Sequence, residues 1–377
     1  MPAAKRNLVN LLLLIFSILF SLYTAESILL FKDFLNRHPQ TRFDSRTKYE
    51  IYRDLIQHQG DIVFYVSPTH WREDSTSLFP FSGISGRKTI HCNENSYYSI
   101  YSSDRYGFNN PDSEWEGASV DFLLIGDSFA QGACVNEQDS IAGNLRRVSG
   151  KSVLNLGMGG NGPLIEFAIL REYLPKTSAK IVFWAYYEGN DLLDLSKELK
   201  NETLRKYLED PKFSQELVQK QTQINQKATQ LIQTWIKENQ RNSLVKFLYL
   251  KTLSHFIHEQ AKHFLTNPGH SLVELKRVIT QASELAAREK SQFYFVFIPS
   301  RESFRRRQTN TNSKQEIFRM VNELNLPIID IQAAFLEEKT NPLSFYSARH
   351  AYHLNEKGYQ LVSQYLLRSL TKTDSAH

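Results

Sequence analysis

Four short blocks in this 377-residue chain carry residue types suited to acyl-transfer chemistry. The first, Gly126-Asp127-Ser128-Phe129, closes an apolar run from Val120 to Ile125. A serine between a buried strand and the helix after it lies at the carboxyl edge of a sheet, where open α/β folds place their ligands. The first N–H groups of that helix can also receive an anion. The G-x-S-x-G elbow of α/β-hydrolases is absent, because Ala130 stands where its last glycine belongs. The second block is Asn155-Leu156-Gly157-Met158-Gly159-Gly160-Asn161-Gly162-Pro163. Its glycines let backbone approach a bound group and aim an N–H at developing negative charge. The third, Glu188-Gly189-Asn190-Asp191, offers an amide side chain as a further donor. The fourth, His353-Leu354-Asn355-Glu356, sets a histidine at the start of a helix. A serine hydroxyl is a weak nucleophile until a base takes its proton, and neutral imidazole does so near neutral pH. Taken singly, Ser128 reads as a helix-capping turn residue and Asn190 as a loop amide holding its own turn. Together, in this order, they favour a catalytic site.

The elements that must position these blocks alternate along the chain. Strands are expected at 120–125, 153–156, 181–185, 293–298 and 328–331, with helices near 137–148, 163–174, 271–290 and 313–324. In the third helix Leu272, Leu275, Ile279, Ala282 and Ala286 share one face. Short apolar strands alternating with helices indicate a parallel sheet covered on both faces. Residues 28–118 lack a long periodic pattern and read as a lead-in packing on the main domain, with one strand candidate at 61–66. Residues 192–265 form a polar helical insertion whose Leu217, Ile224, Ala228, Leu231 and Trp235 mark an apolar side, expected to cap the core, with a coiled-coil dimer contact as the alternative.

The order of the four blocks resembles that of the SGNH/GDSL hydrolase family over residues 119–370 apart from the insertion. The segment from Ser103 to Phe108 is also similar, less specifically, to the lead-in of membrane-anchored members associated with exported polysaccharides. The resemblance implies a three-layer α/β/α sandwich with a five-stranded parallel, flavodoxin-like sheet, spanning residues 119–372. It implies Ser128 as nucleophile and His353 as base, with an oxyanion hole made by Ser128 N–H, Gly160 N–H and the Asn190 side chain. It further implies an acylated glycan or small ester as substrate, with no cofactor and no metal. Esterase, acetyltransferase and non-catalytic glycan binding all remain open at this point.

One part of that pattern is missing. The family places an aspartate two or three residues before the late histidine, where this chain has His350 and Ala351. The sequence thus leaves a Ser–His dyad, an acid from elsewhere or lost turnover. Asp127, Asp191 and His350 are candidates to support the pair, and Asp330 reads as structural.

Composition narrows the setting. The chain is 41% hydrophobic and 23% charged, and its net charge of +5 is scattered, so neither a disordered chain nor a nucleic-acid binder is indicated. Lys5 and Arg6 precede an apolar run from Leu8 to Ala25. That pattern predicts a retained anchor over residues 1–27 with an extracytoplasmic domain, periplasmic in a Gram-negative cell; a cleaved signal is the competing reading. In such a compartment Cys92 and Cys134 would pair, the alternative being two buried thiols. His255, His258 and His263 miss zincin spacing and read as surface histidines. Arg301, Arg305, Arg306 and Arg307 face either solvent or an acidic glycan.

Overall fold

The computed structural model describes residues 3–36, 44–73, 78–240, 247, 250, 253–254, 269–305, 311–347 and 353–374. They divide into two units, Met1–Ser45 with Gln233–Thr266 and Arg46–Ile232 with Asn267–His377. His255, His258, His263, Arg306, Arg307, His350 and Ala351 lie outside the described residues.

In the smaller unit, helix α1 (Ala3–Asn36) extends well beyond the apolar run that foretold it. Leu11 to Phe16 and Ile18 to Phe20 are exposed all round it. Its apolar stretch, Asn10–Lys32, has 23 residues, about 34 Å of helix, long enough to cross a bilayer and equally the form of a signal sequence. The polar interruptions do not need water: Ser17, Ser21 and Thr24 donate to the carbonyls of Leu13, Ser17 and Phe20. Within the same unit the Tyr23 ring lies 5.3 Å from that of Phe247, and Leu253 N–H donates to the Glu26 carboxylate at 2.5 Å.

The larger unit begins with the lead-in. Helix α2 (Lys48–Gln59) starts at a capping box in which Thr47 and Glu50 satisfy each other's backbone N–H. Strands β1 (Ile62–Phe64), β2 (Lys88–Ile90) and β3 (Ile100–Ser102) form a small mixed sheet, β1 parallel and β3 antiparallel to β2. Three-residue strands are too short to show a period, so only the first of them was legible as a strand.

The main sheet consists of β4 (Phe122–Gly126), β5 (Val153–Asn155), β6 (Ile181–Tyr187), β7 (Gln292–Ile298) and β8 (Ile328–Asp330), all parallel in the order β5-β4-β6-β7-β8. This is the flavodoxin-like order, with its switch point beside β4. Alternation along the strands separates two cores. Phe122, Leu124, Phe183, Ala185, Tyr294, Val296 and Ile298 share a cluster with helix residues. Those residues come from α4 (Ile141–Ser149), α11 (Ile331–Glu337) and α12 (Glu356–Asp374). On the opposite face Leu123, Ile125, Trp184, Tyr186, Phe295 and Phe297 are buried under α5 (Pro163–Tyr173), α9 (Gly269–Arg288) and α10 (Thr311–Glu323). The Phe297 and Phe318 rings meet edge-on at 5.2 Å. The architecture is therefore a three-layer α/β/α sandwich.

The insertion divides its packing. Helices α6 (Asp191–Glu198) and α7 (Glu202–Glu209) pack on α5. Helix α8 (Gln221–Gln240) buries Ile224, Ala228 and Ile232. Its hydrogen bonds run to the lead-in rather than to the sheet: Asn225 with Ser85, Gln221 to Gly83 O and Lys227 Nζ to Leu78 O. These bonds tie its polar side to the lead-in, while Ile224 and Ala228 are buried on the side expected to be apolar. Leu231 and Trp235 are only half-buried, because the stripe turns toward Ile232.

The lead-in also closes the open edge of β5. The buried Asn110 side chain accepts Asn155 N–H at 2.8 Å and donates to Asn155 O at 2.9 Å, doing for that residue what a neighbouring strand would. Asn110 is held by Asp104 and Arg146, and Glu114 accepts Val153 N–H at 2.8 Å. Asn110→Ala strands a buried donor and acceptor of the main chain, so a loss of about 2–4 kcal/mol is expected, read as a lower urea midpoint at unchanged slope.

Candidate active site

Ser128 emerges from a turn that few residues could make. Gly126 ends β4 at φ +155°, and a Cβ there would lie 2.8 Å from Ala185 O and 2.9 Å from Ala130 Cβ. Asp127 follows and caps the short helix α3 (Ser128–Gln131), accepting Phe129 N–H at 2.8 Å. The serine is thereby lifted to the carboxyl edge of the sheet. Gly160 and Asn190 follow the neighbouring strands β5 and β6. A Cβ built on Gly159 would stand 3.5 Å from that of Ser128, so the glycine loop abuts the serine.

His353 arrives from the far end of the chain. Ser347 N–H donates to His353 O at 2.9 Å and Tyr346 bridges to Leu354, pinching the histidine against the preceding turn. Asn355 then caps α12 by accepting Gly358 N–H at 3.0 Å. The result sets His353 Nε2 at 2.9 Å from Ser128 Oγ.

The residue that sequence reasoning missed is Glu94, in the lead-in loop between β2 and β3. Its Oε1 lies 2.9 Å from His353 Nδ1, while Oε2 accepts Ser347 Oγ–H at 2.9 Å and His353 N–H at 3.2 Å. Of the three alternatives left by the sequence, the geometry corresponds to an acid from elsewhere: Ser128, His353 and Glu94 form one hydrogen-bonded line. Burial alone would push the Glu94 carboxyl up. Hydrogen bonds from His353 and Ser347, with the positive charge of the imidazolium, outweigh it and hold the group at about 2. Its contribution to stability is therefore complete above its ordinary value of 4.5 and lost as pH falls toward 2.

A disulfide holds this acid in place. Cys92, two residues before Glu94, is bonded to Cys134, just beyond α3, with Cα atoms 4.9 Å apart. Asn95 Nδ2 adds a bond to Cys134 O at 3.1 Å. Glu94, His353 and Cys134 bring metal-ligand atom types within 4.8 Å of one another. The sulfur is consumed by the disulfide, however, and Nδ1 faces the carboxylate, so this trio is not a ligand set.

The proposed supports take other positions. Asp127 accepts Phe129 N–H, its other oxygen lies 3.3 Å from Ser128 Oγ, and burial raises its carboxyl to about 6. Asp191 accepts Tyr187 N–H at 2.8 Å, with its carboxyl raised by burial. Neither is bonded to His353, because both are spent on turning the chain after β4 and β6. Asp330 caps α11 and binds Lys314. Arg305 pairs with Glu302, and Arg301 is half-buried after β7.

Gly160 sits at φ +84°, and among the described residues neither its N–H nor that of Ser128 has a hydrogen-bond acceptor. Asn190 Nδ2 donates to Asp194 at 2.9 Å, leaving the second amide proton for another acceptor.

No protein-family model and no curated protein matches the chain. Solved structures that match include a lipase/acylhydrolase from Enterococcus faecalis, with 13% identity, 67% of this chain and 96% of that one covered, and a TM-score of 0.39. A member of the lipolytic protein G-D-S-L family from Veillonella parvula gives 12% identity, 67% and 98% coverage and a TM-score of 0.37. A catalytic mutant of an acetylxylan esterase from Geobacillus stearothermophilus gives 14%, 67% and 94%, with a TM-score of 0.38.

Proposed function

We propose that this chain is a serine esterase of SGNH/GDSL type that removes an acyl group, an O-acetyl in particular, from an extracytoplasmic glycan. The observation that carries the reading is the unbroken line from Ser128 Oγ through His353 to Glu94. With Nδ1–H donated to Glu94, Nε2 is left as the acceptor facing the serine, the tautomer a general base requires.

The reaction follows from that geometry. Ser128 Oγ attacks the ester carbonyl as Nε2 takes its proton, and Glu94 stabilises the imidazolium. The carbonyl oxygen becomes an oxyanion facing Ser128 N–H, Gly160 N–H and the Asn190 amide. As the intermediate collapses, the bond from the carbonyl carbon to the sugar oxygen breaks, the imidazolium protonates that oxygen to give the sugar hydroxyl, and an acyl-Ser128 remains. Water, deprotonated by the same imidazole, then attacks the acyl carbonyl, releasing acetate and restoring the serine.

The long apolar α1 and the disulfide support an anchored protein facing an oxidising compartment. The purified protein, disulfide intact, should hydrolyse a chromogenic acetyl ester faster than the corresponding octanoyl ester and release acetate from an acetylated polysaccharide. No turnover of any short acyl ester, with the fold intact, would sink this reading.

A further inference from the structure

The lead-in does more at the sheet edge than deliver Glu94. The N–H of Gly160 belongs to the peptide plane whose carbonyl is Gly159 O. In a trans peptide the two groups point in opposite directions, so whatever holds the oxygen aims the N–H. Gly159 O accepts two hydroxyls, both from the segment after β1: Tyr65 Oη–H at 3.0 Å and Ser67 Oγ–H at 2.6 Å. Burial raises the Tyr65 phenol well above its ordinary value, so it remains a donor. The preceding peptide is held too, as Gln131 Oε1 accepts Gly159 N–H at 2.8 Å.

The next carbonyl along is held as well. Arg72 Nη2 donates to Gly160 O at 2.6 Å, and its Nη1 donates to Asp194 Oδ1 at 3.2 Å. The other oxygen of Asp194 accepts Asn190 Nδ2 at 2.9 Å. One guanidinium therefore connects the glycine loop to the amide that follows β6. Arg72 is 14% exposed and Asp194 8%, so the link is largely withdrawn from water, where a planar bidentate donor keeps its geometry. Glu198, completely buried, accepts an additional bond from Arg72 and the N–H groups of Gly162, Leu164 and Ile165, which fixes the far end of the loop.

We infer that Tyr65, Ser67 and Arg72 are positioning residues of the oxyanion hole, acting through Gly160 and Asn190 without touching substrate. The inference rests on the esterase reading. It makes the lead-in one wall of the active site: one loop orients the base, and another orients the donors that receive the developing charge. Such donors work because they are already aligned when the charge appears, so loss of alignment should show in turnover more than in binding.

The cleanest test removes two oxygen atoms and nothing else, in Tyr65→Phe/Ser67→Ala. The double variant should hydrolyse the acetyl ester with kcat lowered about 10- to 100-fold, KM nearly unchanged, and labelling by a fluorophosphonate slowed in parallel. The pH at which activity falls on the acid side should not move, because His353 and Glu94 are untouched. Arg72→Lys should fall between wild type and Arg72→Met, since an ammonium cannot span Gly160 O and Asp194 together. If the double variant fails to fold, Ser67→Ala alone supplies the same readout. A kcat within twofold of wild type would overturn the inference, as would a displaced pH limb. If wild-type turnover does not depend on Ser128, the esterase reading fails first and this inference with it.

Discussion

Glu94→Gln is expected to lower kcat for acetyl-ester hydrolysis by about 10⁴-fold, and by at least as much as Glu94→Ala does. The reason lies in the two ends of the carboxylate. Oε2 accepts both Ser347 Oγ–H and His353 N–H, so a glutamine at 94 places its carbonyl oxygen there. Its NH₂ group then faces Nδ1 of His353, which must become an acceptor, and the ring proton moves to Nε2. That tautomer cannot take the proton of Ser128. Alanine removes the charge without imposing the wrong hydrogen bond. A glutamine variant as fast as wild type would show that Glu94 does not orient the base.

Loss of the disulfide is the second large effect. Cys92 and Cys134 are 42 residues apart in sequence, and closing a loop of that size stabilises the fold by about 4 kcal/mol on the chain-entropy account. The consequence for turnover is separate. The disulfide is the covalent tie of the loop that carries Glu94, and without it only the Asn95 bond to the carbonyl of residue 134 remains on that side, so the loop is loosened. Cys92→Ser/Cys134→Ser should therefore unfold at lower urea and, where still folded, show kcat reduced about 10- to 100-fold by misalignment of the acid. Equal stability with and without reductant, or full activity in the folded double variant, would contradict this.

These two expectations mark where the sequence stopped being readable. Strands β4, β6 and β7 were legible as apolar runs of five to seven residues, whereas β5 and β8, three residues each, were legible only as apolar stretches alternating with amphipathic helices. Ser128, Gly160, Asn190 and His353 were legible because each sits at a strand or helix end within a recognisable block. Glu94 was not, since it lies in an irregular loop, 259 positions before the histidine it serves. A clue was present: a bond between Cys92 and Cys134 would bring the neighbours of Cys92 to the serine turn, and Glu94 is the one acid there. Tyr65, Ser67 and Arg72 gave no signal at all. They act on backbone carbonyls, and no side-chain pattern records which carbonyl a hydroxyl will meet. The polar ties of α8 to the lead-in were unreadable for a related reason, as a stripe of Ile224, Ala228 and Ile232 shows that a face is buried but says nothing of what the other side bonds to.

The most direct test of the site is covalent. The wild-type protein, treated with a fluorophosphonate and digested, should carry one equivalent of adduct on the peptide containing Ser128, with hydrolysis lost in proportion to labelling. Ser128→Ala should take up no label and retain only a trace of the wild-type rate, about 10⁶-fold down, while remaining folded. An adduct on a different residue, or hydrolysis undiminished in Ser128→Ala, would contradict the line from Ser128 through His353 to Glu94 as the seat of catalysis.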